Sequence, residues 1–209
     1  MGLRRYLENP NAAMSRREEA AMKILVVEDN EQYAKAAAEE LTAAGHEVKV
    51  MTIGTYYKEG PVEAATTSDG LMGKYVSKKD SETYYLDPPR SEFDAALFDL
   101  FLPEENIYQT FDQADPARQQ PYGLILALRA AQCGVKYVGI ISDANHHTDA
   151  FSAALDFICP PYWWSGKDQP VFRINESIVG IARTDCHEPD RKRWLDMLNH
   201  LIAHRDAQR

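Results

Sequence analysis

Residues 24–27 (ILVV) form a continuous apolar run, and Glu28, Asp29 and Asn30 follow it directly. A short run of this kind, bounded by polar residues, is typical of a parallel strand that is buried on both faces. In an open α/β sheet, ligands bind just beyond the carboxyl ends of the strands. The carboxylates of Glu28 and Asp29 are therefore expected in such a crevice, where hard oxygen ligands suit Mg²⁺. The alternative is that these residues only begin a helix, since Asp and Asn are good N-caps.

Helical and strand patterns alternate after this point, which predicts an α/β fold with a parallel sheet. The expected helices span residues 31–44, 122–133, 148–155 and 190–204, and the expected strands span 24–27, 46–51, 93–99, 136–141 and 157–159. In the first helix, Tyr33, Ala37 and Leu41 recur at every fourth position, so they are expected to face the core. Gly45 is expected to end this helix.

Three segments lie outside this alternation. Residues 1–21 are polar and mixed in charge, and we interpret them as an N-terminal extension to a single domain at 22–209. Residues 52–92 are rich in Gly, Pro and Tyr, which indicates an insertion with a helix at 61–79 followed by an excursion. Residues 168–209 contain two strand-like runs and the last helix, which predicts a β-hairpin and helix as an elaboration. So short a segment buries too little surface to fold alone, so it should pack on the same sheet.

The composition excludes several classes of protein. The 209 residues carry a net charge of −9 and give a pI of about 5.2, whereas nucleic-acid binding needs a basic face. No apolar run approaches the roughly 18 residues of a membrane span, and no signal-peptide pattern opens the chain, so a cytoplasmic protein without a membrane partner is expected. The three widely spaced cysteines favour reduced thiols, and no zinc-type spacing occurs.

Polar side chains are expected at the carboxyl ends of three strands of the sheet. Glu28 and Asp29 follow the first strand, Asp99 ends the third, and Ser142 follows the fourth. Parallel strands bring these ends to one edge of the sheet. The carboxylates and the hydroxyl are therefore expected to lie close together there.

The segments ILVVEDN (24–30), LFDLFLP (97–103) and VGIISD (138–143) occur in this order, and together they resemble the receiver domain of two-component response regulators. The resemblance covers about residues 22–161, interrupted by the insertion. It implies a flavodoxin-like, three-layer α/β/α sandwich whose parallel five-stranded sheet has the strand order 2-1-3-4-5.

The resemblance also implies roles for individual residues. Asp99 matches the phosphoacceptor, and Ser142 matches the hydroxyl that contacts the phosphoryl group. Glu28 and Asp29 match the acidic pair that binds Mg²⁺ together with Asp99, and the backbone carbonyl of Phe101 would be a further ligand. The implied function is a signalling module in a Mg-dependent phosphorelay, with no chemistry beyond the phosphorylation and dephosphorylation of Asp99. The implied partners are a histidine kinase or phosphotransfer protein and an output protein reached by direct contact, with a homodimer as one possible assembly.

Two departures from the receiver pattern bear on this function. Receivers carry a Lys after the fifth strand, and aligning residues 157–161 with that turn puts Pro160 in its place. Lys136 and Lys167 are the candidates for a replacement. Receivers usually have a small residue after the hydroxyl residue, where this chain has Asp143, a further carboxylate.

The second hypothesis is therefore a pseudoreceiver, which keeps the fold as a phosphorylation-independent protein-interaction module. A Mg-dependent phosphohydrolase of the dehalogenase type is disfavoured, because it needs an Asp two residues after the nucleophile, where Phe101 stands. A dinucleotide enzyme is disfavoured because no Gly-rich turn follows the first strand. The remaining alternative is an α/β domain whose carboxylates only cap helices.

Overall fold

The computed structural model describes residues 21–51, 76–80, 83–87, 91–103, 118–143, 150–155, 157, 171–184 and 192–207. Residues 1–20, most of the insertion and the residues from 158 to 170 lie outside this part of the chain. The expectations for the N-terminal extension, Pro160 and Lys167 therefore stay predictions.

The described elements alternate between strands and helices, which confirms the predicted α/β class. In chain order they are β1 (Lys23–Val27), α1 (Glu31–Ala43), β2 (Glu47–Met51), β3 (Val76–Asp80), β4 (Thr83–Asp87), β5 (Ala95–Asp99), β6 (Leu102–Pro103), β7 (Gln119–Gln120), α2 (Tyr122–Gln132), β8 (Tyr137–Ser142), α3 (Ala150–Leu155), β9 (Val171–Ile174), β10 (Ser177–Arg183) and α4 (Trp194–Asp206).

The main sheet has six strands in the order β2-β1-β5-β8-β10-β9. All neighbours pair in parallel except β9, which pairs antiparallel with β10 at one edge. Two small antiparallel pairs, β3 with β4 and β6 with β7, lie outside this sheet. Because β3 includes residues 76–79, the helix expected at 61–79 is wrong at that end.

The predicted five-stranded order 2-1-3-4-5 is wrong, because β10 takes the position beside β8 that was expected for residues 157–159. Six of the seven residues of β10 are buried, as befits a strand covered on both faces, whereas Phe157 is 94% exposed. The predicted hairpin at the end of the chain is confirmed, and its turn places Asn175 at a φ of 53°, a conformation that Asn tolerates. The segment predicted as an elaboration thus supplies an interior strand of the sheet.

Helix α1 follows the predicted pattern closely. It buries Tyr33, Ala37 and Leu41, and Asn30 is its N-cap, with Oδ1 accepting from the backbone N–H groups of Gln32 and Tyr33. The helix is followed by Gly45, whose φ of 91° suits glycine at this position.

The other two long helices are α2 and α4. In α2, Leu126 and Ala127 are buried, whereas Leu128 is 40% exposed. The last helix begins at Trp194 and not at 190, and its N-cap residue Arg193 makes no side-chain cap.

Helix α4 packs on β8 and β10 and contacts α1. Two paired glycines make this close approach possible: a Cβ at Gly139 would lie 2.7 Å from Met197 Cγ, and one at Gly180 would lie 3.0 Å from Leu201 Cδ2. Helix α2 contacts the same strands and also β5. No helix in the described ranges combines the length and the apolar character needed to cross a membrane.

Candidate functional site

Three carboxylates meet at the carboxyl ends of β1 and β5. The two strands are parallel neighbours in which Val27 pairs with Phe98, so Glu28 and Asp99 follow at the same level. Carboxylate oxygens of Glu28, Asp29 and Asp99 lie within 4.8 Å of one another. Glu28 is fully buried and Asp99 is 3% exposed, while Asp29 is partly exposed. The sequence therefore predicted correctly that these three side chains come together.

The ammonium of Lys192 lies between two of these carboxylates. Its Nζ donates to Glu28 Oε2 at 2.7 Å and lies 2.7 Å from Asp99 Oδ1. The second contact is an ion pair between a buried ammonium and a buried carboxylate. The side chain of Lys192 is only 1% exposed. A lysine from just before the last helix thus places a buried cation in this pocket.

The sequence pattern did not single out Lys192, because it stands between Arg191 and Arg193 with acidic residues nearby. Lys136, one of the two candidates considered, lies before β8 at the opposite end of the strands, where it pairs with Asp94 at 3.2 Å. The usable signal was topological: Lys192 belongs to the connection between β10 and α4. Once β10 is assigned as the strand beside β8, the connection after it becomes the place where a pocket lysine is expected.

Glu28 also shapes the turn from β1 into α1. Its Oε1 accepts from the backbone N–H of Asn30 at 3.0 Å, while its Oε2 accepts from Lys192. Asn30 in turn caps α1, so the capping role considered for this stretch is confirmed for Asn30. Asp29 Oδ2 accepts from the side-chain amide of Gln119 at 3.4 Å. Glu28 therefore accepts hydrogen bonds both from the backbone of the turn and from the buried ammonium of Lys192.

Burial dominates the electrostatics of the pocket. Burial raises the pKa of Glu28, and it raises the pKa of Asp99 well above its ordinary value, with Glu28 and Asp143 adding repulsion. Lys192 opposes both shifts. For Lys192 itself, burial lowers the pKa, but Asp99 and Glu28 outweigh that effect and leave its pKa raised. Lys192 is therefore a cation at neutral pH, and it favours the ionised form of Asp99.

The other predicted site residues lie near the same edge. Ser142 is the last residue of β8 and is 3% exposed; it lies one position beyond Ile141, which pairs with Asp99. Asp143 follows it and is exposed. Phe101 is half-buried, with its ring edge-to-face against Phe151. The phosphoryl contact of Ser142 and the metal contact of the Phe101 carbonyl stay predictions.

Gly123 is a further residue that the sequence reasoning missed. It lies in the first turn of α2 and donates its N–H to the Leu100 carbonyl at 3.0 Å. A Cβ at this position would lie 1.8 Å from the carbonyl oxygen of Asp99. Only glycine lets α2 approach the backbone that carries Asp99 so closely.

The donor set fits one divalent cation. Two oxygens bound to the same Mg²⁺ at about 2.1 Å lie at most about 4.2 Å apart, so oxygens within 4.8 Å of one another need only small side-chain movements. The three carboxylates and the ammonium of Lys192 leave a formal charge of −2, which one divalent cation would cancel. This acidic cluster could therefore hold a metal ion.

Asp99→Asn should stabilise the metal-free protein at neutral pH by about 1–2 kcal/mol, because it removes one buried like charge. Since the pKa of Asp99 is raised in the folded chain above its ordinary 3.8, the folded state holds a proton that the unfolded state releases. Stability should therefore fall as pH rises from about 4 through the raised pKa, and Asp99→Asn should lack that part of the slope.

Urea unfolding in a chelator between about pH 5 and pH 8 measures this slope. Asp94→Asn is the matched control, because Asp94 is a partly exposed carboxylate whose ion pair should contribute less than about 1 kcal/mol. A wild type more stable than Asp99→Asn at neutral pH would contradict the electrostatic account.

Comparison of the sequence with models of protein families and with curated proteins gives no match.

Proposed function

We propose that the chain is a receiver-like signalling domain that accepts a phosphoryl group on Asp99. The observation that carries this proposal is the double ion pair of Lys192 with Glu28 and Asp99, at 2.7 Å each. It supplies a buried cation beside the predicted nucleophile. The receiver pattern has a lysine for this purpose, at the position where the alignment puts Pro160. The proposal includes a flavodoxin-like sandwich with helices on both faces of the sheet, in which β10 serves as the strand that precedes the pocket lysine.

The proposed chemistry is an in-line transfer. An ionised oxygen of Asp99 attacks phosphorus, the bond from phosphorus to the donor atom breaks, and the donor leaves with that electron pair. Lys192 favours the ionised form of Asp99 and then binds an oxygen of the phosphoryl group, and Ser142 donates its hydroxyl to another. Glu28, Asp29 and Asp99 would hold Mg²⁺, which offsets phosphoryl charge and orients the donor. A phosphohistidine on a kinase or phosphotransfer protein is the proposed donor, and the output is a protein contact.

A pseudoreceiver is the second candidate, and the same ion pairs also support it. The ammonium of Lys192 neutralises the charge of one of the two buried carboxylates that it contacts. A pocket whose charges are balanced by a tethered cation can persist as part of a stable interaction module. In this case Asp99 would remain unmodified while the fold serves as a docking surface.

Intact-mass spectrometry after incubation with acetyl phosphate tests the proposed function. A phosphoryl adduct should form on wild type in the presence of Mg²⁺, and it should be absent without Mg²⁺ and in Asp99→Asn. Acetate is the leaving group in this reaction, so no partner protein is needed.

Thermal unfolding with Mg²⁺ or Mn²⁺ separates metal binding from transfer. At about 100 times its dissociation constant, a metal that binds only the folded state stabilises it by about 2.7 kcal/mol, or about 5–10 °C for a chain of this size. The shift should disappear when Asp29→Asn and Asp99→Asn are combined. Metal stabilisation without an adduct would support the pseudoreceiver, and the absence of both would reduce the carboxylates to structural charges.

A further inference from the structure

Two aromatic rings flank the ammonium of Lys192 in addition to the two carboxylates. Its Nζ lies 4.8 Å from the ring centroid of Tyr33 and 5.8 Å from that of Trp194. Both distances are within the range of cation–π attraction, which is stronger where water is excluded. Lys192 and Trp194 are fully buried, and Tyr33 is 9% exposed. We propose that Tyr33 is a positioning residue, whose ring holds the ammonium of Lys192 against Glu28 and Asp99.

The ring and one of the anions come from a single structured turn. Glu28 Oε1 accepts from the N–H of Asn30, and Asn30 Oδ1 accepts from the N–H of Tyr33 at 3.4 Å. The cap of α1 therefore sets the place of the Tyr33 ring relative to the Glu28 carboxylate. Lys192 contacts both of them, and it precedes α4, a helix that contacts α1. The turn thus presents an anion and an aromatic face to the same cation.

Trp194, in the same segment as Lys192, contributes the more distant of the two rings, and Tyr33 on α1 supplies the closer one. A lysine side chain has about 2 kcal/mol of rotamer entropy and a single point charge, so a carboxylate alone leaves much freedom. The N-terminus of α4 two residues later has no side-chain cap. The ring face restricts the ammonium to the side that faces the carboxylates. For the transfer reaction, this role rests on the proposed function above.

The alternative is that Tyr33 only packs α1 against α4, and a double-mutant cycle distinguishes the two roles. Tyr33→Leu keeps an apolar side chain but removes the ring, and Lys192→Met removes the charge. The four combinations are compared by urea unfolding in a chelator, with Tyr33→Phe as the variant that keeps the ring. If Lys192→Met alone fails to fold, the cycle is run with Asp99→Asn present in all proteins, since that change relieves the buried charge.

If Tyr33 positions the ammonium, Tyr33→Leu should reduce the folding equilibrium constant about 2- to 30-fold more in the presence of Lys192 than in Lys192→Met. Tyr33→Phe should retain most of this coupling. Leu41→Ala is the control for general damage to α1, because Leu41 is buried about 12 Å further along the helix. Its effect should be the same with and without Lys192.

Equal losses from Tyr33→Leu in both backgrounds would overturn the inference, and so would a Tyr33→Phe variant as uncoupled as Tyr33→Leu. The unfolding comparison uses no phosphoryl donor and no metal. A wild type that acetyl phosphate does not modify therefore counts against the proposed function alone, whereas a coupling of zero counts against the role of Tyr33 alone. Where an adduct forms, Tyr33→Leu should slow its formation about three- to tenfold.

Discussion

Lys192→Met is expected to lower the free energy of unfolding of the metal-free protein by about 3–5 kcal/mol. The substitution keeps a long apolar side chain but leaves the carboxylates of Glu28 and Asp99 buried without their cation. The loss should be largest at neutral pH and above. Because burial already raises both pKa values, lowering the pH protonates these groups in the folded state first, and this should restore part of the stability.

Chemical unfolding of Lys192→Met and Lys136→Met side by side measures this effect. Lys136 is the matched control, because its side chain is 53% exposed and its ion pair with Asp94 lies in solvent, where such pairs contribute less than about 1 kcal/mol. Adding Asp99→Asn to Lys192→Met should recover part of the loss. Similar effects of the two Lys→Met changes would mean that the pocket is not desolvated.

The same substitution should also slow adduct formation on Asp99 about 100-fold, since it removes a preorganised cation from the phosphoryl oxygens. Single-turnover rates with acetyl phosphate at saturating Mg²⁺ measure this separately from stability. A Lys192→Met variant that is folded in Mg²⁺ and reacts as fast as wild type would leave the ion pairs with a structural role only.

Truncation after residue 184 is expected to leave no cooperatively folded protein. It removes α4, whose inner face consists of Trp194, Met197, Leu198 and Leu201, each at most 1% exposed. Losing one such side chain costs about 2–5 kcal/mol, so losing four costs about 8–20 kcal/mol, which is as large as the 5–15 kcal/mol by which a domain is usually stable. The truncation also exposes the glycine-lined surface of β8 and β10 and removes Lys192 from the pocket.

Deletion of residues 1–21 is the contrasting truncation, with an expected shift in Tm of no more than a few degrees, because these residues are polar and precede β1. Circular dichroism during heating compares the two shortened chains with the full one. A cooperative transition in the chain that ends at residue 184 would show that α4 is an accessory element after all.

The local features of this protein could be predicted because they depend on neighbouring residues. The apolar run at 24–27, the cap at Asn30 and the repeat of Tyr33, Ala37 and Leu41 determine β1, the turn and α1 within one short segment. The pairing of strand ends follows nearly as directly, because parallel strands expose their carboxyl ends at one edge. That rule, applied to the sequence by itself, is enough to bring Glu28, Asp29 and Asp99 together.

Only the tertiary structure determined the sheet order and the cation in the pocket. Residues 157–159 and β10 are both short apolar runs, so the hydrophobic pattern does not show which of them lies beside β8. Tertiary packing puts β10 there. Lys192 stands among charged neighbours, so its sequence context indicates a solvated side chain. Lys192 is buried because α4, which follows it, packs on β8, β10 and α1. This packing brings Lys192 against Glu28 and Asp99, which are more than 90 positions away in the chain. A contact between residues so far apart in the chain depends on how helices and strands pack in space. The hydrophobic periodicity of the segment around Lys192 therefore cannot predict it.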